Sequence, residues 1–376
     1  MPAHSDLSSS DPIAIREWLQ FNHPKQLAMI DTFEKDFSLG KLSSPDRRFI
    51  TSKTVELLKS LIGATRWKTP AELLTLLRGI GRELQAVTGA REPAVTNVVR
   101  RIMAAVREEL NQETFGKNHN ASLETLLYSD ESSATNNAAW PPSYHHPKPD
   151  LKQCIMEAIQ DTMLDLEDLH KNISDQALNH IHAGEVILVY GHSKTVELFL
   201  KAAAVKKRSF QVVVSEGAPH FGGHDMAKAL AEAGIDTIII SDAMIFAVMA
   251  RVNKVLLGAH AVLANGGLIT QAGSNVVGLA ARQNAVPVVC ISGMYKLCPM
   301  YPHEGQDTLN DLVSPASVMD YSDLLSSKVE LINPVHDYVA PELISLYVTN
   351  VGVFQPSYIY RLLAENYHSD DWESFE

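Results

Sequence analysis

Cysteine is scarce in this chain of 376 residues: Cys154, Cys290 and Cys298 are all there are, and no two stand in a CxxC pair. That excludes a disulfide framework and fits reduced thiols in the cytosol, so a cytoplasmic protein is expected. Long apolar runs are also missing. The longest, such as Thr237–Ile240 and Val255–Leu257, fall far short of the ~20 residues that cross a bilayer. Residues 1–11 show neither the basic nor the apolar part of a secretory signal. No membrane association is expected. Positive charge is in deficit, with 32 Lys and Arg against 44 Asp and Glu and a net charge of −12. A general nucleic-acid binder, which must neutralise phosphates, is disfavoured.

Nucleotide and metal motifs are missing too. Gly191-His192-Ser193-Lys194-Thr195 ends like a phosphate loop, but Ser193 replaces the glycine before the lysine and the turn is too short to wrap phosphates. No GxGxxG follows a strand, so no dinucleotide site and no cofactor is expected. His180 with His182 and His220 with His224 each lack a convincing third ligand for zinc. Cys290 sits inside a Val-Val-Cys-Ile run and reads as a buried apolar residue. Ser193 lacks the Gly-x-Ser-x-Gly elbow of a nucleophile. Nothing compels catalysis.

What is present divides in three. Residues 1–110 read as an all-helical domain. Val55, Leu58, Leu61 and Ile62 recur at helical spacing, Thr69-Pro70-Ala71-Glu72 opens a capped helix, and Val98, Val99, Ile102 and Val106 line another. Residues 111–150, rich in Asn, Ser, His and Pro, read as a flexible linker or insertion. From 151 to 376 apolar strand segments alternate with helical ones. Val186–Tyr190, Phe210–Ser215, Thr237–Ser241, Val255–Ala259 and Val286–Ser292 are the strands. Such near-continuous β-branched runs imply a parallel sheet buried on both faces, hence an α/β class with a Rossmann-like doubly wound domain. Ligands in that fold bind beyond the carboxyl ends of the strands.

One stretch departs from the acidic whole. Between Pro45 and Asn111 there are 12 Lys and Arg against 7 Asp and Glu. A solvated helical surface is one reading, and a docking face for an acidic or phosphorylated partner, built on Arg100, Arg101 and Arg107, is the other.

Asn253–Ala259, Leu263-Ala264-Asn265-Gly266-Gly267 and Gln271-Ala272-Gly273-Ser274 resemble the core of the initiation factor 2B alpha/beta/delta family and its sugar-phosphate isomerase relatives, among them methylthioribose-1-phosphate isomerase. Arg66-Trp67, Asn97–Ile102, Met294–Pro299, Asp337–Leu343 and Pro356–Leu362 resemble the family's beta branch more specifically. The isomerases use a Cys just beyond a strand and the Asp of an Asn-Gly-Asp motif. Here Val189–Ser193 holds no Cys and Gly267 stands at the Asp position, so the resemblance implies a scaffold without the acid/base pair.

The resemblance further implies a regulatory subunit of a guanine-nucleotide exchange factor. Such a subunit pairs with the delta subunit through the α/β domain, assembles with the alpha, gamma and epsilon subunits, and helps bind the alpha subunit of initiation factor 2 in phosphorylated and unphosphorylated forms. A residual pocket or interface is expected near His192, Ser193, His224, Asn265, Gly266, Ser274 and Lys296. Two alternatives stay open at this point: a divergent sugar-phosphate isomerase, and a sugar-phosphate sensor.

Overall fold

A computed structural model describes residues 10–42, 46–117, 140–148, 150–302, 312–322 and 328–372. Five helices build the first part: α1 (Pro12–Asn22), α2 (Pro24–Ser38), α3 (Arg48–Ala64), α4 (Pro70–Thr88) and α5 (Pro93–Lys117). The expected start of α4 is observed. Thr69 accepts from the Glu72 amide at 3.3 Å, Pro70 takes the first turn, and the Glu72 carboxylate accepts from the Lys68 amide at 2.7 Å.

The long helix α6 (Leu151–Asp175) leads into the α/β part. Strands β1 (Val186–Tyr190), β2 (Gln211–Ser215), β3 (Asp236–Ile240), β4 (Lys254–Gly258), β7 (Val288–Ile291), β9 (Leu346–Val348) and β10 (Val353–Phe354) form one sheet. Its order is β10-β9-β7-β4-β1-β2-β3, parallel throughout except for antiparallel β10. The order turns between β1 and β4, which is where a doubly wound sheet opens a crevice.

Period-two alternation sorts the strand side chains onto two faces. Ile187, Val189, Val212, Val214 and Leu256 pack beneath α6, α7 (Lys194–Val205) and α8 (Gly222–Glu232). Leu188, Tyr190, Val213, Val255 and Leu257 pack beneath α9 (Ile245–Met249), α10 (Ser274–Gln283) and α11 (Ile359–Asn366). A second, antiparallel sheet of β5 (Ala261–Val262), β6 (Leu268–Gln271) and β8 (His336–Val339) caps the crevice side.

The domain boundaries differ from expectation in two places. Helix α5 runs to Lys117, past the expected linker start, and Trp140 returns to α4, donating from Nε1 to Thr75 Oγ1 at 2.8 Å. The remainder of the expected linker, 118–139, lies outside the described residues. Helix α6 belongs to both parts: it packs on α3 and α5 as well as α7, so one apolar core runs from the helical region to one face of the sheet.

Candidate functional site

The crevice between β1 and β4 holds a cavity of about 300 Å³. The strand ends supply Tyr190, His192, Ser193, Gly258 and His260, the second sheet supplies Thr270, Gln271 and His336, and the helical region reaches in with Asp46 and Arg47. Lys296, from the turn after β7, completes the floor. Close approach of backbones shapes the mouth. Gly191 has φ +61, and a Cβ there would lie 2.1 Å from Gln271 Oε1, so only glycine lets Gln271 cross the end of β1.

The cavity's charge is cationic but mostly committed. Glu197, 3 % exposed, receives Lys201 at 2.7 Å, Lys194 at 2.9 Å and His192 Nε2 at 3.2 Å. Burial alone would raise the Glu197 pKa, but the hydrogen bonds from Lys201, Lys194 and His192 outweigh it and bring it down to about 2. Lys296 donates to the Ala259 carbonyl at 2.7 Å; burial first, and then the Arg47 charge, lower its pKa to about 8. His260 and His336 stack with centroids 4.1 Å apart, and burial favours the neutral form of both. Among the described residues the buried His260 Nε2 has no hydrogen-bond partner.

Of the seven residues expected here, His192, Ser193 and Lys296 line the cavity and the other four do not. His224 is exposed, edge-on to Phe221 and 3.9 Å from Glu216. Ser274 is buried in the first turn of α10. Asn265 and Gly266 make the β5–β6 turn: Asn265 donates to Tyr338 Oη at 2.7 Å and accepts from the Gly267 amide at 2.9 Å, while Tyr347 Oη donates to the Gly266 carbonyl at 2.8 Å. Arg47, His220, His260 and His336 were not anticipated as a group.

The isomerase chemistry has no place in this arrangement. A Cβ on Gly267 would lie 2.5 Å from the Tyr338 ring, so the slot for an acid/base carboxylate is filled by an aromatic side chain. Cys290 is fully buried inside β7, where burial pushes its thiol up to about 12.

The three arginines expected to form a docking face are engaged within the chain, Arg101 half-buried and the other two buried. Arg100 and Arg107 are 2 % and 3 % exposed, and all three bond to the chain's own C-terminal segment. Their spacing reads as a solvated helix face, but the segment that covers them comes from the far end of the sequence. No group of three or more His, Cys, Asp or Glu able to hold a metal occurs among the described residues. No helix there is long and apolar enough to cross a membrane.

Comparison with known proteins fits this geometry. The family described as "Initiation factor 2 subunit family" matches residues 47–356. "Translation initiation factor eIF2B subunit beta" of Schizosaccharomyces pombe is 39% identical over 363 residues, covering 86% of this chain and 92% of that one. Its namesake in Dictyostelium discoideum is 38% identical over 360 residues, covering 86% and 91%. Among solved structures, a chain of the tetrameric eIF2B-beta2-delta2 complex from C. thermophilum superposes with a TM-score of 0.67 at 25% identity, covering 91% of this chain and 95% of that one. These relatives carry the name of a translation-factor subunit and not of an isomerase. The chain belongs to the initiation factor 2 subunit family, within its eIF2B beta branch.

Proposed function

We propose that the chain is a non-catalytic regulatory subunit of a hetero-oligomeric guanine-nucleotide exchange factor for initiation factor 2. In this reading it pairs with a delta-type subunit through the α/β part and assembles with alpha, gamma and epsilon subunits. Its helical part contributes to holding the alpha subunit of initiation factor 2 and to distinguishing its phosphorylated form.

The observation that carries the reading is an apolar face left open on the α/β part. Ile238 of edge strand β3, Met244 and Phe246 at α9, and Val276 and Leu279 on α10 are between 43 and 62 % exposed. Ile238 lies on the same strand face as Ile240, which packs with α9, and α9 packs on α10, so the five share one side of the sheet. Apolar residues so clustered, next to an unpaired strand edge, mark a surface that another chain covers. The named pairing of beta with delta chains in the C. thermophilum complex supplies the partner class.

Co-expression with a delta-type subunit tests this. Phe246→Asp with Leu279→Asp should weaken pairing by at least about 100-fold, since each buried apolar side chain contributes ~1.5–3 kcal/mol. An intact complex of the double variant would sink the reading.

A second reading, sensing of a phosphorylated sugar, is favoured by one observation: Arg47, Lys194, Lys296 and His192 ring the same cavity. A rise in Tm with added sugar phosphate would support it.

A further inference from the structure

The arginines that read as a docking face do meet an acidic segment, and it is this chain's own. Asp371 is fully buried, and its carboxylate accepts from Arg78 Nη2 at 3.0 Å, Arg107 Nε at 2.9 Å and Arg107 Nη2 at 3.0 Å. Arg100 holds the main chain beside it, donating from Nε to the Asp371 carbonyl and from Nη2 to the Trp372 carbonyl, both at 3.2 Å. Asp370 adds a second ion pair to Arg107 Nη1 at 3.3 Å. Trp140 closes the wall, with its ring 4.3 Å from the Arg78 guanidinium and 5.3 Å from that of Arg107.

Every cation in this group comes from α4 or α5, and the C-terminal acceptors from residues 370–372, while Arg100 Nη1 also donates to Thr96 and Asn97 on its own helix. The joint is therefore lopsided. On one side stand three guanidinium groups fixed on rigid helices. On the other is a single 3-10 turn, Ser369–Asp371, between the buried Tyr367 and Trp372, which packs edge-on to Tyr360. Buried cations need an acceptor, and removing one partner of such a set is far more costly than exposing an apolar side chain. The pocket also has spare capacity: among the described residues the buried Arg78 Nε has no acceptor.

We propose that Arg78, Arg100 and Arg107 form a carboxylate-receiving pocket for an acidic peptide, filled in cis by residues 369–372, which act as a releasable clasp between the two parts of the chain. The ion pairs are confined to one turn, with Trp372 packed against Tyr360 beside it, and the shared apolar core beneath α6 includes none of these residues. Opening the clasp exposes the arginine face of α4 and α5, while Arg101 still holds Asn366 of α11 to the helical region.

Two measurements test it. In the full-length Asp371→Asn variant, amide hydrogen exchange should quicken at residues 366–372 and at the facing turns of α4 and α5, with the central strands unchanged. Unchanged exchange throughout, or equal quickening in the central strands, would overturn the clasp. A chain ending at His368 should bind a peptide of residues 368–376, and the same peptide with Asn at position 371 should bind at least about 30-fold more weakly. Equal binding of the two peptides, or no binding of either to the folded shortened chain, would overturn the pocket. Where the shortened chain fails to fold, the exchange pattern of the full-length variant decides.

Discussion

Glu197 offers the sharpest test of the electrostatics at the cavity mouth. It sits 3 % exposed at the start of α7 and holds Lys194, Lys201 and His192 at once. Lowering its pKa from 4.5 to about 2 is worth at most ~3 kcal/mol of folding stability. The lysines are about a third exposed, so water screens them and ~1–2 kcal/mol is the expected cost of Glu197→Gln at pH 7. The sign follows from the depressed value. The contribution is fully present above the unfolded pKa near 4.5 and is lost as pH falls toward 2. Urea unfolding at pH 7 and pH 4 should therefore show the gap between native and variant narrowing by roughly 0.5 kcal/mol at the lower pH. A gap near zero at pH 7 would refute the reasoning, and so would one that widens on acidification.

Two further outcomes are expected. Gly267→Asp restores the missing carboxylate in sequence only: its Cβ meets the Tyr338 ring, so the variant should lose ~1–3 kcal/mol in thermal or urea unfolding and gain no isomerase activity in a coupled assay. Lys296→Met removes a buried amine whose pKa lies at about 8. The native chain should gain stability relative to this variant as pH rises from 8 to 10.5, by about 2–3 kcal/mol in denaturant titrations, because the unfolded state holds the proton more tightly across that range. Parallel curves would refute it.

Five of the seven strands of the main sheet could be placed from sequence to within two residues at each end, while β9 and β10 were not placed. Burial on both faces forces runs such as Val186–Tyr190 and Gln211–Ser215, and no helix surface produces that pattern. The antiparallel sheet was not legible. Strand β5 is two residues long, and the partner of β6, His336–Val339, arrives only after a long excursion. The same limit applies to the cavity. His192, Ser193 and Lys296 follow strands and could be guessed from the fold rule, whereas Arg47 and His336 come from distant segments that no local pattern links. Arg100 and Arg107 illustrate the reverse error: their helical spacing reads as exposed because the residue that buries them has no periodic relation to them.

The clasp also has a consequence for how the chain is made. Arg107 precedes Asp371 by 264 residues and Arg78 precedes it by 293. At ~5–20 residues per second, a nascent chain carries these three cations for roughly 15–60 s before its own carboxylate has been synthesised. During that interval any acidic partner, whether a chaperone or a neighbouring subunit, competes for the arginines without opposition. The order in which partners arrive on the growing chain can thus be set by a single late aspartate.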